Sequence, residues 1–207
     1  MWPDHLEAGL RRRNEDTRLR ILSTAERRFA QRGYDATGVA ELCRSAGVSK
    51  GAFYHHFASK HDLFLELLDS WLAALDSAFA AAVEQADDVP TALRGMADLV
   101  AEGIRRPEQR LGMFVEFWAH AQRDPAIWRR AAEPYRRYLA YFERLIAKGI
   151  EQRRFRQIAP ERAASLLTSM ALGLLMQASF APDDEAWSDT LRGTVEMFLE
   201  GMEDVRR

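Results

Sequence analysis

Residues 46–57 read AGVSKGAFYHHF, and the fold turns on how Ser49 in that stretch is read. Gly47-Val48-Ser49-Lys50-Gly51 fits G-x-S-x-G, the pattern that sets a nucleophilic serine on a sharp turn between a strand and a helix. That chemistry needs a strand before the serine and an Asp or Glu, then a His, after it. Here the preceding apolar residues Val39, Leu42, Cys43 and Ala46 recur at helical spacing. Beyond the local His55, His56 and His61, only His120 follows. The other reading makes Ser49 the cap of a short helix, its hydroxyl accepting a backbone N–H. The residues favour the cap, and the chain is then expected not to be an enzyme.

Working outward, 39–46 and 49–56 read as two short helices joined by a turn at Gly47, the helix-turn-helix arrangement. Thr37 or Gly38 caps the first, and Glu41 sits where a carboxylate favours the positive helix start. The second is too short to stand alone and must dock through Val48, Phe53 and Phe57. Before the pair, a helix over about 16–33 carries Ile21, Leu22, Ala25, Phe29 and Ala30 on one stripe and stops at Gly33. After it, Ser59-Lys60-His61-Asp62 forms a capping box that opens a helix to about Val83. Asp87-Asp88-Val89-Pro90 breaks the chain. Pro107, Pro125, Pro160 and Pro182 then delimit helices near 91–105, 108–122, 126–153, 160–180 and 184–203. No segment alternates apolar and polar residues as a half-buried strand does. The expected fold is all-α, with a helix-turn-helix bundle over 1–62 and a helical domain over 63–207.

Charge is distributed unevenly. The 207 residues carry a net charge of −2, but residues 1–62 hold 11 Arg/Lys against 8 Asp/Glu. A basic first third on an acidic body is either the mark of a polyanion partner for one end or ordinary scatter in surface charge, and charge alone does not choose between them. Arg11, Arg12 and Arg13 precede the bundle, and Lys50 and Lys60 sit at helix starts. The single cysteine, Cys43, excludes an intramolecular disulfide and Cys-based zinc sites. MWPDHLEAGLRRR lacks the apolar core of a secretory signal, and no apolar run is long enough to cross a membrane. A cytoplasmic protein is expected.

The stretch GYDATGVAELCRSAGVSKGAFYHHFASKHDLF resembles the DNA-binding region of the TetR (tetracycline repressor) family. The resemblance is carried by Gly33-Tyr34, Thr37, Ala46-Gly47-Val48-Ser49, Gly51, Phe53-Tyr54, Phe57, Ser59-Lys60 and Asp62-Leu63, and it spans roughly residues 15–65. FVEFWAHAQRDP, at 114–125, is similar to one subgroup. The resemblance implies a ligand-responsive repressor: a homodimer that grips a palindromic double-stranded DNA operator and lets go when a small-molecule inducer enters its C-terminal helices. It implies a DNA-binding set of Thr37, Ser49, Lys50, Gly51, Ala52, Tyr54, His55, His56 and Lys60. Ser49 would cap the recognition helix. Lys50, Gly51 and Ala52 would face base edges, Tyr54 and Lys60 phosphates, and His55 the groove, with His56 beside a phosphate. Two positions depart from the family pattern: Gly38 stands where Ser or Thr is frequent, and Ala40 where a polar reader is frequent. The alternative is a helical module that binds a small molecule or a partner without specific DNA binding.

No cofactor or metal is expected, since adjacent His55 and His56 point about 100° apart on a helix. Cys43, on the inward stripe, reads as a small buried apolar residue. Phe114, Phe117 and Trp118 mark one aromatic stripe, and Trp128, Tyr135, Tyr138 and Phe142 another. Such stripes are core or the wall of a pocket for an apolar or aromatic inducer. The pocket reading adds Met170 and places Glu116 and His120 as polar anchors, Glu116 then suiting a cationic ligand. The last two helices are apolar over more than one face, which predicts a dimer interface at Leu167, Ala171, Leu174, Leu191, Val195, Phe198 and Met202.

Overall fold

The computed structural model describes residues 4–104, 125–180 and 186–203. The expected helix over 108–122 lies outside these residues, and with it Phe114, Glu116, Phe117, Trp118 and His120. The described chain forms α1 (Asp4–Arg32), α2 (Val39–Ala46), α3 (Lys50–His56), α4 (Lys60–Gln85), α5 (Val89–Ile104), α6 (Pro125–Glu151), α7 (Pro160–Phe180) and α8 (Trp187–Met202). Among the described residues the one β-type pairing is an isolated bridge between Phe155 and Glu203. The first helix starts well before the expected Asp16.

The described residues form two compact units, one up to Trp71 and one from Leu72 onward. The division falls inside α4, so a helix, and not a loop, crosses it.

In the first unit α1 packs on α2 and α3. Ile21, Ala25 and Phe29 of α1 meet Leu42, Cys43 and Ala46 of α2, Phe53 and Phe57, and Leu63 and Phe64 at the start of α4. Burying each of the large side chains among them contributes roughly 1.5–3 kcal/mol, enough to dock helices as short as α2 and α3. Phe29, Tyr34 and Phe64 form a ring triad with centroids 4.7–5.8 Å apart.

In the second unit α5 packs on α8, and α6 on α7. Val89, Leu93, Met96, Ala97 and Ala101 of α5 face Leu191, Val195, Phe198, Leu199 and Met202 of α8. Arg94 donates to Glu196 at 2.6 and 2.9 Å, and Arg192 to Asp98 at 2.6 Å. The ends of α5, α6 and α8 meet at one point. Val89 N–H donates to Gln152 Oε1, and Arg156 N–H to the Met202 carbonyl. The Phe155 ring packs against Gly149, where a Cβ would come within 2.4 Å of it.

This packing bears on the expected dimer interface. Leu167, Leu174, Leu191, Val195, Phe198 and Met202 are buried inside their own chain. A side chain mostly covered within one protomer leaves little surface for a second. Ala171 is half-buried. The exposed faces of the same helices are different: Leu166, Ser169, Gly173 and Met176 on α7, and Thr190, Gly193, Met197 and Gly201 on α8. Met197 is 74% exposed.

Candidate DNA-binding interface

The α2–α3 turn follows from its residues. Gly47 closes α2 at φ 64°, ψ 40°, the left-handed region that side chains with a Cβ avoid. Its N–H and that of Val48 return to the carbonyls of Arg44 and Cys43. The chain then extends at Ser49 (φ −76°, ψ 159°), whose hydroxyl accepts the Ala52 N–H at 3.1 Å. Ser49 is a helix cap, and the element before it is a helix. The nucleophile geometry is absent.

On α3, Phe53 and Phe57 turn inward and are 0% and 2% exposed. The pairs Lys50/Tyr54 and Gly51/His55 therefore form the outward stripes, four residues apart. Ala52 and His56 are half-buried at the flanks. Between Gly38 and Ala58 the exposed residues include Arg44 and Lys50 and no carboxylate. The one acid of α2, Glu41, is drawn back onto Arg32 at 3.2 Å and Arg28 at 3.8 Å. Arg28 also donates to the Ser45 hydroxyl at 3.1 Å, so α1 clamps α2 along its length. Arg44 was not among the expected contacts. It lies opposite the buried Leu42, Cys43 and Ala46, and a helical wheel of α2 would have placed it outward.

The geometry bears on three of the expected positions. Thr37 is fully buried, its hydroxyl donating to the Gly33 carbonyl at 2.9 Å, so its side chain ties the α1–α2 turn and cannot reach DNA. Gly38, not Thr37, is the N-cap of α2, and it offers no side-chain bond. Lys60 donates from Nζ to the Tyr34 carbonyl at 2.8 Å and lies 4.0 Å over the Tyr34 ring. Ser59 accepts the Asp62 N–H and donates to its carboxylate, the capping box the sequence predicts.

Arg18 pairs with Glu66 and lies 5.9 Å over the Phe57 ring, pinning the end of α3. Burial first, then His55 and Arg18, push the His56 imidazole below its ordinary pKa. Cys43 is buried, and burial raises its thiol, so the reactive thiolate is disfavoured.

In the second unit Tyr138 donates to Asp76 at 2.8 Å, and Arg137 pairs with the other oxygen of that carboxylate at 2.8 Å. Phe79, one turn beyond Asp76, contacts Tyr138, Tyr141 and Phe142 at ring distances of 6.2–6.5 Å. Among the described residues the buried Tyr141 hydroxyl has no hydrogen-bond partner. Burial and Asp76 raise the pKa of both tyrosines. Among the expected pocket residues, Phe142 is buried, Tyr138 and Met170 are half-buried, and Tyr135 is exposed.

Comparison with known proteins agrees with this arrangement. The family profile for bacterial regulatory proteins of the tetR family matches residues 21–67. That for the C-terminal region of the BetI-type transcriptional repressor matches residues 89–202. The HTH-type transcriptional regulator YfiR of Bacillus subtilis is 26% identical over 86% of this chain and 88% of its own length. TtgR of Pseudomonas putida is 41% identical over 36% of this chain, spanning 35% of that regulator. Among solved structures, SCO4454 of Streptomyces coelicolor aligns over 92% of this chain and 97% of its own, with a TM-score of 0.79 and 25% identity. A protein of Saccharomonospora viridis described as a transcriptional regulator, in complex with choline, aligns over 92% and 99% with a TM-score of 0.80 and 23% identity.

Proposed function

The chain belongs to the TetR family of bacterial transcriptional regulators, and on that premise we propose that it is a cytoplasmic homodimeric repressor that leaves a palindromic operator when a small molecule binds its C-terminal unit. The observation that carries the reading is the outward face of α2 and α3. It is cationic, free of exposed carboxylates, rich in small residues, and held rigid by the Ser49 cap and the buried Phe53 and Phe57. A short helix presented this way enters a major groove. Lys50 and His55 read base edges. Tyr54 and Arg44 hold phosphates, which set position without reading sequence.

The exposed small and apolar stripe of α7 and α8 supports the dimer. Leu166, Met176 and Met197 supply contact area, and Gly173, Gly193 and Gly201, each open to solvent, let a second backbone come close. Two copies must hold their recognition helices about 34–36 Å apart to bind one face of the duplex.

For the inducer, the aromatic cluster supports an apolar or aromatic body, and Asp76 supports a cationic head. A carboxylate beside Phe79, Tyr138 and Tyr141 suits an organic ammonium group. Arg137, already paired with Asp76 and 5.6 Å over the Tyr138 ring, is the internal cation such a ligand displaces. The choline carried by the Saccharomonospora viridis protein makes choline the first compound to test.

The test is selection of bound duplexes from a random pool by the purified protein. A palindromic consensus is expected, with Lys50→Ala relaxing its sequence and Tyr54→Ala weakening all duplexes alike. No enrichment at low salt overturns the DNA reading. Sedimentation of Met197→Glu as a monomer, against a wild-type dimer, supports the interface; a wild-type monomer at micromolar concentration refutes it. Choline is expected to weaken operator binding in the wild type and not in Asp76→Asn.

A further inference from the structure

We propose that Lys60 is a positioning residue for the recognition helix and not a phosphate ligand. The inference rests on the DNA-binding reading above and reassigns one of its residues. Lys60 is the first residue of α4, three positions beyond Phe57, where α3 ends. Its ammonium donates to the Tyr34 carbonyl at 2.8 Å, across 26 residues of sequence. The same nitrogen lies 4.0 Å from the centre of the Tyr34 ring.

That ring is not a loose surface group. It packs on Phe29 at 5.3 Å and on Phe64 at 4.7 Å, both of which are buried. Lys60 therefore ties the start of α4 to the turn between α1 and α2. The chain from Val39 to Phe57, which contains α2 and α3, is the segment spanned by this tie. Fixing both of its ends fixes where α3 points. A charged donor held by a carbonyl and an aromatic face gives up both on turning to a phosphate. Lys50, at the start of α3, is exposed and suits the phosphate and groove side better.

Two measurements separate the roles. The first uses wild-type protein with a mild amine-acetylating reagent and quantifies Lys50 and Lys60 with and without the selected duplex. Slow acetylation of Lys60 in the free protein, unchanged by DNA, is expected, with Lys50 reactive when free and protected when bound. Equal reactivity of the two in the free protein, with DNA protecting Lys60, overturns the proposal.

The second compares Lys60→Met with the wild type. Binding to the selected duplex is expected to weaken about ten-fold, because α3 must then be fixed on the DNA without the tie. The slope of log affinity against log salt and the affinity for an unrelated duplex should stay as in the wild type. Backbone amides from Ala52 to Phe57 should exchange faster in the free protein. A salt slope smaller by about 0.9, the loss of one phosphate contact on B-DNA, with unchanged amide exchange, overturns it. A wild type that selects no duplex removes the DNA reading. Free-protein acetylation and amide exchange then still decide whether Lys60 is held and whether it holds α3.

Discussion

The two units are held together over different distances along the chain. In the first, the ties that shape the α2–α3 turn and its flanks are short in sequence: Ser49 to Ala52, Ser59 to Asp62, Thr37 to Gly33, Arg32 to Glu41, with Lys60 to Tyr34, 26 residues apart, and Arg18 to Glu66 as the longer ones. In the second, Arg94 reaches Glu196 across 102 residues, Arg192 reaches Asp98 across 94, and Tyr138 reaches Asp76 across 62. A cap or a tight turn is specified within a few residues and leaves a mark in the sequence. A pair that meets only after several helices have packed leaves none. The DNA-binding side of this molecule is therefore built from legible parts, and the ligand and dimer side from pairs that packing creates.

The largest expected effect tests the first half of that comparison. Phe53→Ala removes the side chain that docks α3 and should cost about 3–5 kcal/mol, with DNA binding lost. Urea unfolding followed by circular dichroism measures it. A loss under 1 kcal/mol would mean that the caps, not the buried ring, hold α3.

The next sets two glycines side by side. Gly149→Ala drives a Cβ into the Phe155 ring and should cost about 1–3 kcal/mol by overpacking. Gly47→Ala meets no neighbour and should cost about 1–2 kcal/mol through its left-handed backbone alone. The double variant Gly149→Ala, Phe155→Leu should recover part of the first loss; no companion change should recover the second. Thermal melts of the four proteins decide it.

Smaller again is the Arg94–Glu196 pair. Both side chains are about two-fifths exposed, so the pair contributes roughly 1 kcal/mol or less. The Arg94 hydrogen bond holds the Glu196 carboxyl below its ordinary value of 4.5. Its contribution is present above that value and is lost as pH falls through the lower folded-state one. Glu196→Gln should lower stability at pH 7 and reduce the acid sensitivity below about pH 4.5. Denaturation midpoints at pH 7 and pH 3 test both signs, and a wild type and variant that lose stability equally on acidification would count against the pair.

The smallest is Gly38→Ser. Gly38 caps α2 without a side-chain bond and has open space around its Cα. A serine hydroxyl there should stabilise by a few tenths of a kcal/mol. It should also tighten binding to all duplexes by a similar increment through one added phosphate contact. Tighter binding to the selected duplex alone would mean that position 38 reads sequence.

The sequence by itself determined the all-α class, the helix-turn-helix pair, the Ser49 and Ser59 caps, the Gly47 turn and the inward stripe of Leu42, Cys43, Phe53 and Phe57. Each of these depends on residues within one or two turns of each other, and period and capping chemistry act at that range. Only the tertiary structure decided that Thr37 is buried, that Lys60 is held by Tyr34, and that Leu191, Val195, Phe198 and Met202 face their own chain while Met197 faces out. Helical periodicity shows that a helix has an apolar face and says nothing of what covers it. On a helix apolar over two faces, the choice between the molecule's own core and a second copy is made by the helices packed against it, and those come from a hundred residues away.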